Sequence, residues 1–254
     1  MFDFLRKFFR LTPRPLAFSG RTDTGRVRSH NEDSFAALGN RRVFIVADGM
    51  GGHNAGEVAS RLAIESFLDF LSEERIRGSQ GRDSAIREML LAAFHHANEA
   101  VMARAATDEE LQGMGCTMVA CLLDGDRLHT CHAGDARCYL ANRRKLIQIT
   151  TDHTAVIPGL RNGEPGAEKK RLRHVVTMAM GFAFPEEPEY HKNILRPGDR
   201  VLLCSDGLWN MVDPIRIEQI LVDAAAPEEA CALLVNAANE QGGRDNITAL
   251  AIFY

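Results

Sequence analysis

The sequence predicts an α+β protein in which antiparallel sheets are covered by helices, and three observations lead to that class. Hairpin signals follow one another between residues 117 and 149. Two stretches ahead of them carry apolar residues at helical spacing. The run Val43, Phe44, Ile45, Val46 is apolar on both faces, as a strand covered from two sides must be. No repeat or linker interrupts the pattern, so residues 19–254 are expected to form one domain, with residues 1–18 as an amphipathic N-terminal extension.

Residues 1–14, MFDFLRKFFRLTPR, mix aromatic residues and leucines with Arg6, Lys7, Arg10 and Arg14 against Asp3 alone. They lack the long apolar region and small-residue cleavage site of a signal peptide. Two readings stay open: an amphipathic helix resting on a membrane or a partner, or a terminal helix packed on its own domain and ended by Pro13 and Pro15. Residues 19–35 are polar and glycine-containing, with an acidic pair at Glu32 and Asp33. After the strand at 43–47, Asn54 is placed to cap a helix, with Glu57 completing a capping box. Val58, Ala59, Leu62, Ala63, Phe67 and Phe70 then repeat at helical spacing to about Leu71. Residues 72–82 read as a surface connection, and Ile86, Met89, Leu90, Ala93, Phe94, Ala97 and Val101 mark a second amphipathic helix.

Asp124-Gly125 between 117–123 and 127–133 predicts a hairpin, because that dipeptide favours a turn matching strand twist. A second hairpin is expected from 137–141 and 145–149, around Asn142-Arg143. Residues 152–192 lack periodicity and hold a basic run at 169–174, the mark of a functional or mobile loop. A strand at 200–204 follows, then a helix capped by Asp213 and begun by Pro214. Another helix begins at Pro227 and ends at Gly242-Gly243, before a last apolar strand at 247–253.

The 254 residues carry a formal net charge of -4, which argues against nucleic acid as a partner. Six cysteines without zinc-like spacing suggest reduced core residues of a cytoplasmic protein. No apolar run approaches the roughly 18 residues of a membrane span. A monomer is expected.

Five carboxylates sit beside glycine or at strand ends: Asp33, Asp48, Asp135, Asp206 and Asp245. Asp48 runs into Gly49, Gly51 and Gly52, and residues 201–203 run into Ser205, Asp206 and Gly207. Two like charges about 4 Å apart repel by ~4 kcal/mol at an effective dielectric near 20, so such a cluster needs cations. All-oxygen ligands select Mg2+ or Mn2+ over zinc. Two such ions can hold an activated water and clamp a phosphoryl group. Arg28 adds a planar fork suited to phosphate.

The motifs RSHNED (28–33), VADGMGGH (46–53), GCT (115–117), AGDAR (133–137), TDHT (151–154), SDGLW (205–209) and GGRDNIT (242–248) occur in that order. Together they resemble the metal-dependent protein phosphatase 2C family in its bacterial form, over about residues 19–254. Any one of them is an everyday turn; seven in sequence are not. The resemblance implies a four-layer sandwich, two antiparallel sheets flanked by helices. It implies a phosphatase that hydrolyses phosphoserine and phosphothreonine by direct attack of metal-activated water, with no covalent phosphoenzyme. Its substrates would be phosphorylated proteins, products of a serine/threonine kinase. By the same resemblance, Asp48 bridges two metals and the Gly49 carbonyl binds one of them. Asp206 and Asp245 complete that pair of sites. Glu32 and Asp33 orient the attacking water, and Arg28 binds the phosphate. Asp135, with Asp206 shared, holds a third and weaker ion, while Asn246 and Thr248 secure a local turn.

The chain departs from the family in places. Met50 stands where many animal relatives have histidine, with His53 three residues on; AGDAR has alanine at 136; and 177–181 lacks the family's arginine, which sets the substrate-side flap apart. His153 is read as structural, His95 and His96 as surface or packing residues, and Trp209 as core cover beneath the site. A haloacid-dehalogenase-like phosphatase would need a second Asp where Met50 stands. The other alternative, a catalytically idle member serving as a binding module, leaves the full set Arg28, Asp48, Asp206 and Asp245 without a purpose.

Overall fold

The computed structural model describes residues 16–51, 55–142, 145–155 and 175–254. The N-terminal segment, His53, the Asn54 cap and the basic run at 169–174 lie outside the described residues. Strand β3 (Val43–Met50) shows how the architecture follows from the side-chain period of two. Val43, Ile45 and Ala47 point into one core with the helices α1 (Ala55–Phe70), α2 (Glu73–Ser79) and α3 (Asp83–Ala106). Phe44 and Val46 point the other way, into a second core between two sheets. Strand β12 (Ile247–Phe253) does the same from the opposite sheet. Its Leu250 and Ile252 enter the shared core, while Ile247, Ala249 and Ala251 pack under α5 (Pro214–Asp223) and α6 (Pro227–Glu240). Three apolar layers separate four layers of backbone, so the molecule is an α-β-β-α sandwich.

The remaining strands are β1 (Ala17–Asp23), β2 (Asp33–Leu38), β4 (Gly115–Asp124), β5 (Arg127–Ala133), β6 (Arg137–Ala141), β7 (Leu146–Gln148), β8 (Thr154–Ala155), β9 (Val175–Val176), β10 (Glu189–Ile194) and β11 (Arg200–Cys204). One sheet runs β10-β5-β4-β3-β2 and the other β1-β12-β11-β6-β7, every neighbour antiparallel. Both expected hairpins form, β4–β5 and β6–β7. The six cysteines are free and buried. Among the described residues, no helix is long and apolar enough to cross a membrane.

Four local readings change. The polar stretch 19–35 holds most of β1 and the start of β2, and β1 begins at Ala17, inside the range read as an extension. Residues 72–82 are not mere connection. Ser72 caps α2 by accepting the Arg75 N–H, and Ile76 anchors that helix in the core. Within 152–192, β10 pairs with β5 along its whole length. The strand expected at 43–47 continues through Asp48 to Met50 as β3.

Candidate metal centre

The β2–β3 register sets Asp33 directly opposite Asp48. Like charges facing each other across a ladder are destabilising, so protons or cations must offset them. The other sheet supplies Asp206, first residue of the single turn α4 (Asp206–Trp209) after β11, and Asp245, two residues ahead of β12. Asp135 lies in the turn from β5 to β6. Loss of solvent, then Asp33, Asp206, Asp135 and Asp245 in turn, push the half-buried Asp48 carboxyl well above the usual range. Burial, reinforced by Asp206, raises Asp135 to about 7. The charge on each of the other four predicted carboxylates is therefore felt at Asp48.

Asp33 is the most constrained of them. Ser205 Oγ and Thr248 Oγ1 both donate to its Oδ2 at 2.7 Å, while Oδ1 is buried without a partner. Burial still raises this carboxyl to about 7, against the pull of both hydroxyls. Thr248 thus holds Asp33 rather than a turn. Turn-securing belongs to Asn246, whose Oδ1 accepts the Glu32 N–H at 2.9 Å. Its Nδ2 donates to the Thr24 and His30 carbonyls at 3.0 and 2.8 Å.

Gly49 is glycine for want of space. A Cβ there would meet the Gly56 carbonyl oxygen at 2.2 Å and that of Glu32 at 2.5 Å. Its N–H donates to the Glu32 carbonyl, which also accepts Ser60 Oγ at 2.6 Å. Burial raises the Glu32 carboxyl, opposed by Arg28. Arg28 stands at the rim, its Nη2 donating to Asp245 Oδ2 at 2.8 Å. Hydrogen bonds, strand register and charge interactions thereby link every predicted site residue to at least one other.

Trp209 lies partly buried against the core beneath α4, and its Nε1–H donates to the Asp135 carbonyl at 3.1 Å. His95 packs on Phe184 and His96 on Phe70. His132, His153 and Glu189 form a second group near enough to share a metal, with ligand atoms within 4.8 Å of one another. One nitrogen of each ring is already engaged, and His132 Nδ1 is buried without a partner. The Gly134 N–H donates to His153 Nδ1, which puts the ring proton on Nε2, and His132 Nε2 donates to the Thr151 carbonyl. That group is a brace.

The first cluster does fit hard cations. Its donors are all oxygen, it has an orphaned carboxylate oxygen at Asp33, and Asp33, Asp48 and Asp135 are raised by burial first and by neighbouring carboxylates second. Residues 24–242 match the family model described as Protein phosphatase 2C. The chain is 35% identical over 238 residues to the serine/threonine phosphatase stp of Listeria monocytogenes, covering 91% of this chain and 93% of that one. Among solved structures, it is similar to the Mycobacterium tuberculosis serine/threonine phosphatase PstP/Ppp, with TM-score 0.80 and 36% identity over 94% of this chain and 98% of that one. It is also similar to the catalytic domain of PstP in complex with 2 manganese ions, with TM-score 0.77 and 34% identity over 94% and 97%. Carboxylate cluster, sandwich and sequence agree, and the chain belongs to the bacterial protein phosphatase 2C family of metal-dependent serine/threonine phosphatases.

Proposed function

We propose that this chain removes phosphate from phosphoserine and phosphothreonine in proteins, with Mn2+ or Mg2+ as cofactor. The observation that carries the reading is the convergence of four carboxylates on Asp48 beside the Arg28 fork. Bound divalent cations supply an activated water and a clamp for phosphoryl oxygens. Asp48, the Gly49 carbonyl, Asp206 and Asp245 would hold two of them; Asp135 and Asp206 would hold a third, weaker one. Glu32 and Asp33 orient the attacking water. Asp33 is suited to this because Ser205 and Thr248 fix one oxygen and leave the other, buried one without a partner. Arg28 binds the phosphate, exchanging the Asp245 carboxylate for phosphoryl oxygens when substrate enters.

The substrates we infer are products of a serine/threonine kinase, met in the cytoplasm by a monomeric enzyme. The aromatic and basic residues 1–14 support a peripheral contact with an anionic membrane surface or a partner. Loss of binding to anionic vesicles on deleting them, with turnover of a small phosphoester kept, is the expected result. For the activity itself, phosphate release from a phosphothreonine peptide should need added Mn2+ or Mg2+ and stop with chelator. Full activity in a metal-free preparation would overturn the reading.

A further inference from the structure

We propose that Arg137 is a positioning residue for the metal held between Asp135 and Asp206, and that it acts through the ring of Trp209. The inference rests on the assignment of those two carboxylates above. Helix α4 is a single turn with Asp206 at its start and Trp209 at its end. The indole N–H reaches across to the Asp135 carbonyl at 3.1 Å. One side chain thus ties the backbone that carries one carboxylate to the backbone that carries the other.

An indole held by one hydrogen bond can still pivot; this one is held flat. The Arg137 guanidinium carbon lies 3.4 Å from the Trp209 ring centroid. The guanidinium is itself fixed, with Nε on Asp152 Oδ1 at 2.8 Å, Nη2 on Asp152 Oδ2 at 2.6 Å, and Nη1 on Tyr139 Oη at 2.7 Å. That bidentate use of the fork leaves Arg137 unsuited to bind phosphate. Residues 152–153 grip the Asp135 turn a second time. The His153 N–H donates to the Gly134 carbonyl at 3.0 Å, and the Gly134 N–H donates to His153 Nδ1 at 3.2 Å. Gly134 has φ +105°, and a Cβ there would meet Thr117 Cβ at 2.4 Å, so the turn is also pressed onto β4. What remains adjustable is the approach of Asp206 to Asp135, and the indole sets it.

The test uses the full chain, stripped of metal and titrated with Mn2+ by calorimetry. Arg137→Met and Trp209→Phe should each weaken the weakest Mn2+ isotherm by about five- to tenfold, the worth of one buried hydrogen bond or cation–π contact. The tighter isotherms should not move. At saturating Mn2+, kcat should return to that of the parent with KM for a phosphopeptide unchanged throughout. Losing a cation near the site would by charge alone tighten metal binding, so weakening is the signature of lost positioning. Trp209 is the only tryptophan, so its emission during a Mg2+ titration should follow the weakest isotherm in the parent and shift with it in Arg137→Lys. Should Arg137→Met fail to fold by circular dichroism, Trp209→Phe, which keeps an aromatic ring but lacks the N–H that reaches the Asp135 carbonyl, decides. Isotherms unmoved in the folded variants, while Asp135→Asn loses the weakest one, would overturn the positioning role and leave the metal assignment standing. Full stoichiometry in Asp135→Asn would overturn the assignment itself and the proposal with it.

Discussion

At the scale of single residues, the site is a set of like charges held together by its surroundings. Asp48 faces Asp33 across a ladder and, among the described residues, has no cationic partner as close as the one Arg28 gives Asp245. Two consequences separate these residues. Asp48→Asn should abolish tight Mn2+ binding and turnover, yet raise the melting temperature of the chelated protein. Relief of a buried repulsion worth ~1 kcal/mol corresponds to about 2–4 °C in a chain of this size. Calorimetric melts in chelator check this, and a fall would mean that Asp48 is stabilising without metal. Arg28→Ala should act on substrate instead. The expected loss is about tenfold in KM for a phosphopeptide, the low end for a charge-assisted hydrogen bond, with metal stoichiometry intact. Lost metal in that variant would place Arg28 in the wrong role.

At the scale of elements, legibility follows burial. Strands β3, β4, β11 and β12 could be read from the sequence because nearly all their residues are apolar and buried. Strands β1, β2 and β10 could not, because each is a sheet edge where polar residues alternate with half-buried ones. The Asp-Gly pairs betrayed the carboxylates, but their supports were hidden by distance along the chain. Ser205 and Thr248 reach Asp33 from 172 and 215 residues away. The brace on β10 was hidden for the same reason: Glu189 faces His132 only through strand pairing. His132 lies buried there, its imidazole lowered to about 4 by loss of solvent. The unfolded chain, with an ordinary histidine near 6.5, takes up that proton first, so the contribution of His132 to stability falls as pH drops from about 6.5 towards 4. In chelator, His132→Gln should remove this contribution and change the slope of the melting temperature against pH over that range. An unchanged slope would show that His132 does not control it.

At the scale of the whole molecule, the carboxylates come from both sheets: Asp33 and Asp48 from one, Asp206 and Asp245 from ends of the other, with Asp135 in a turn that passes between them. Without cations they push the sheets apart at this end; with cations they clamp them. Ligand that binds only the folded chain adds about 2.7 kcal/mol at a hundred times its dissociation constant, so chelation should lower the melting temperature. The size of that drop should depend on pH. Asp33 and Asp135 are raised to about 7 and Asp48 is raised as well, from an ordinary value near 3.8. Between those values the folded, metal-free chain holds more protons than the unfolded one, so its stability declines as pH rises. For Asp33 alone the ceiling on that decline is ~4 kcal/mol. In the metal-loaded protein these carboxyls are already ionised and the decline is absent. Groups such as His132 titrate alike in both forms and cancel in the difference. The gap in melting temperature between Mn2+ and chelator should therefore be small near pH 4.5, widen steadily, and level off above pH 7. Calorimetry across that range decides it: a gap that stayed constant or narrowed would mean that the buried carboxylates are not what the metal neutralises.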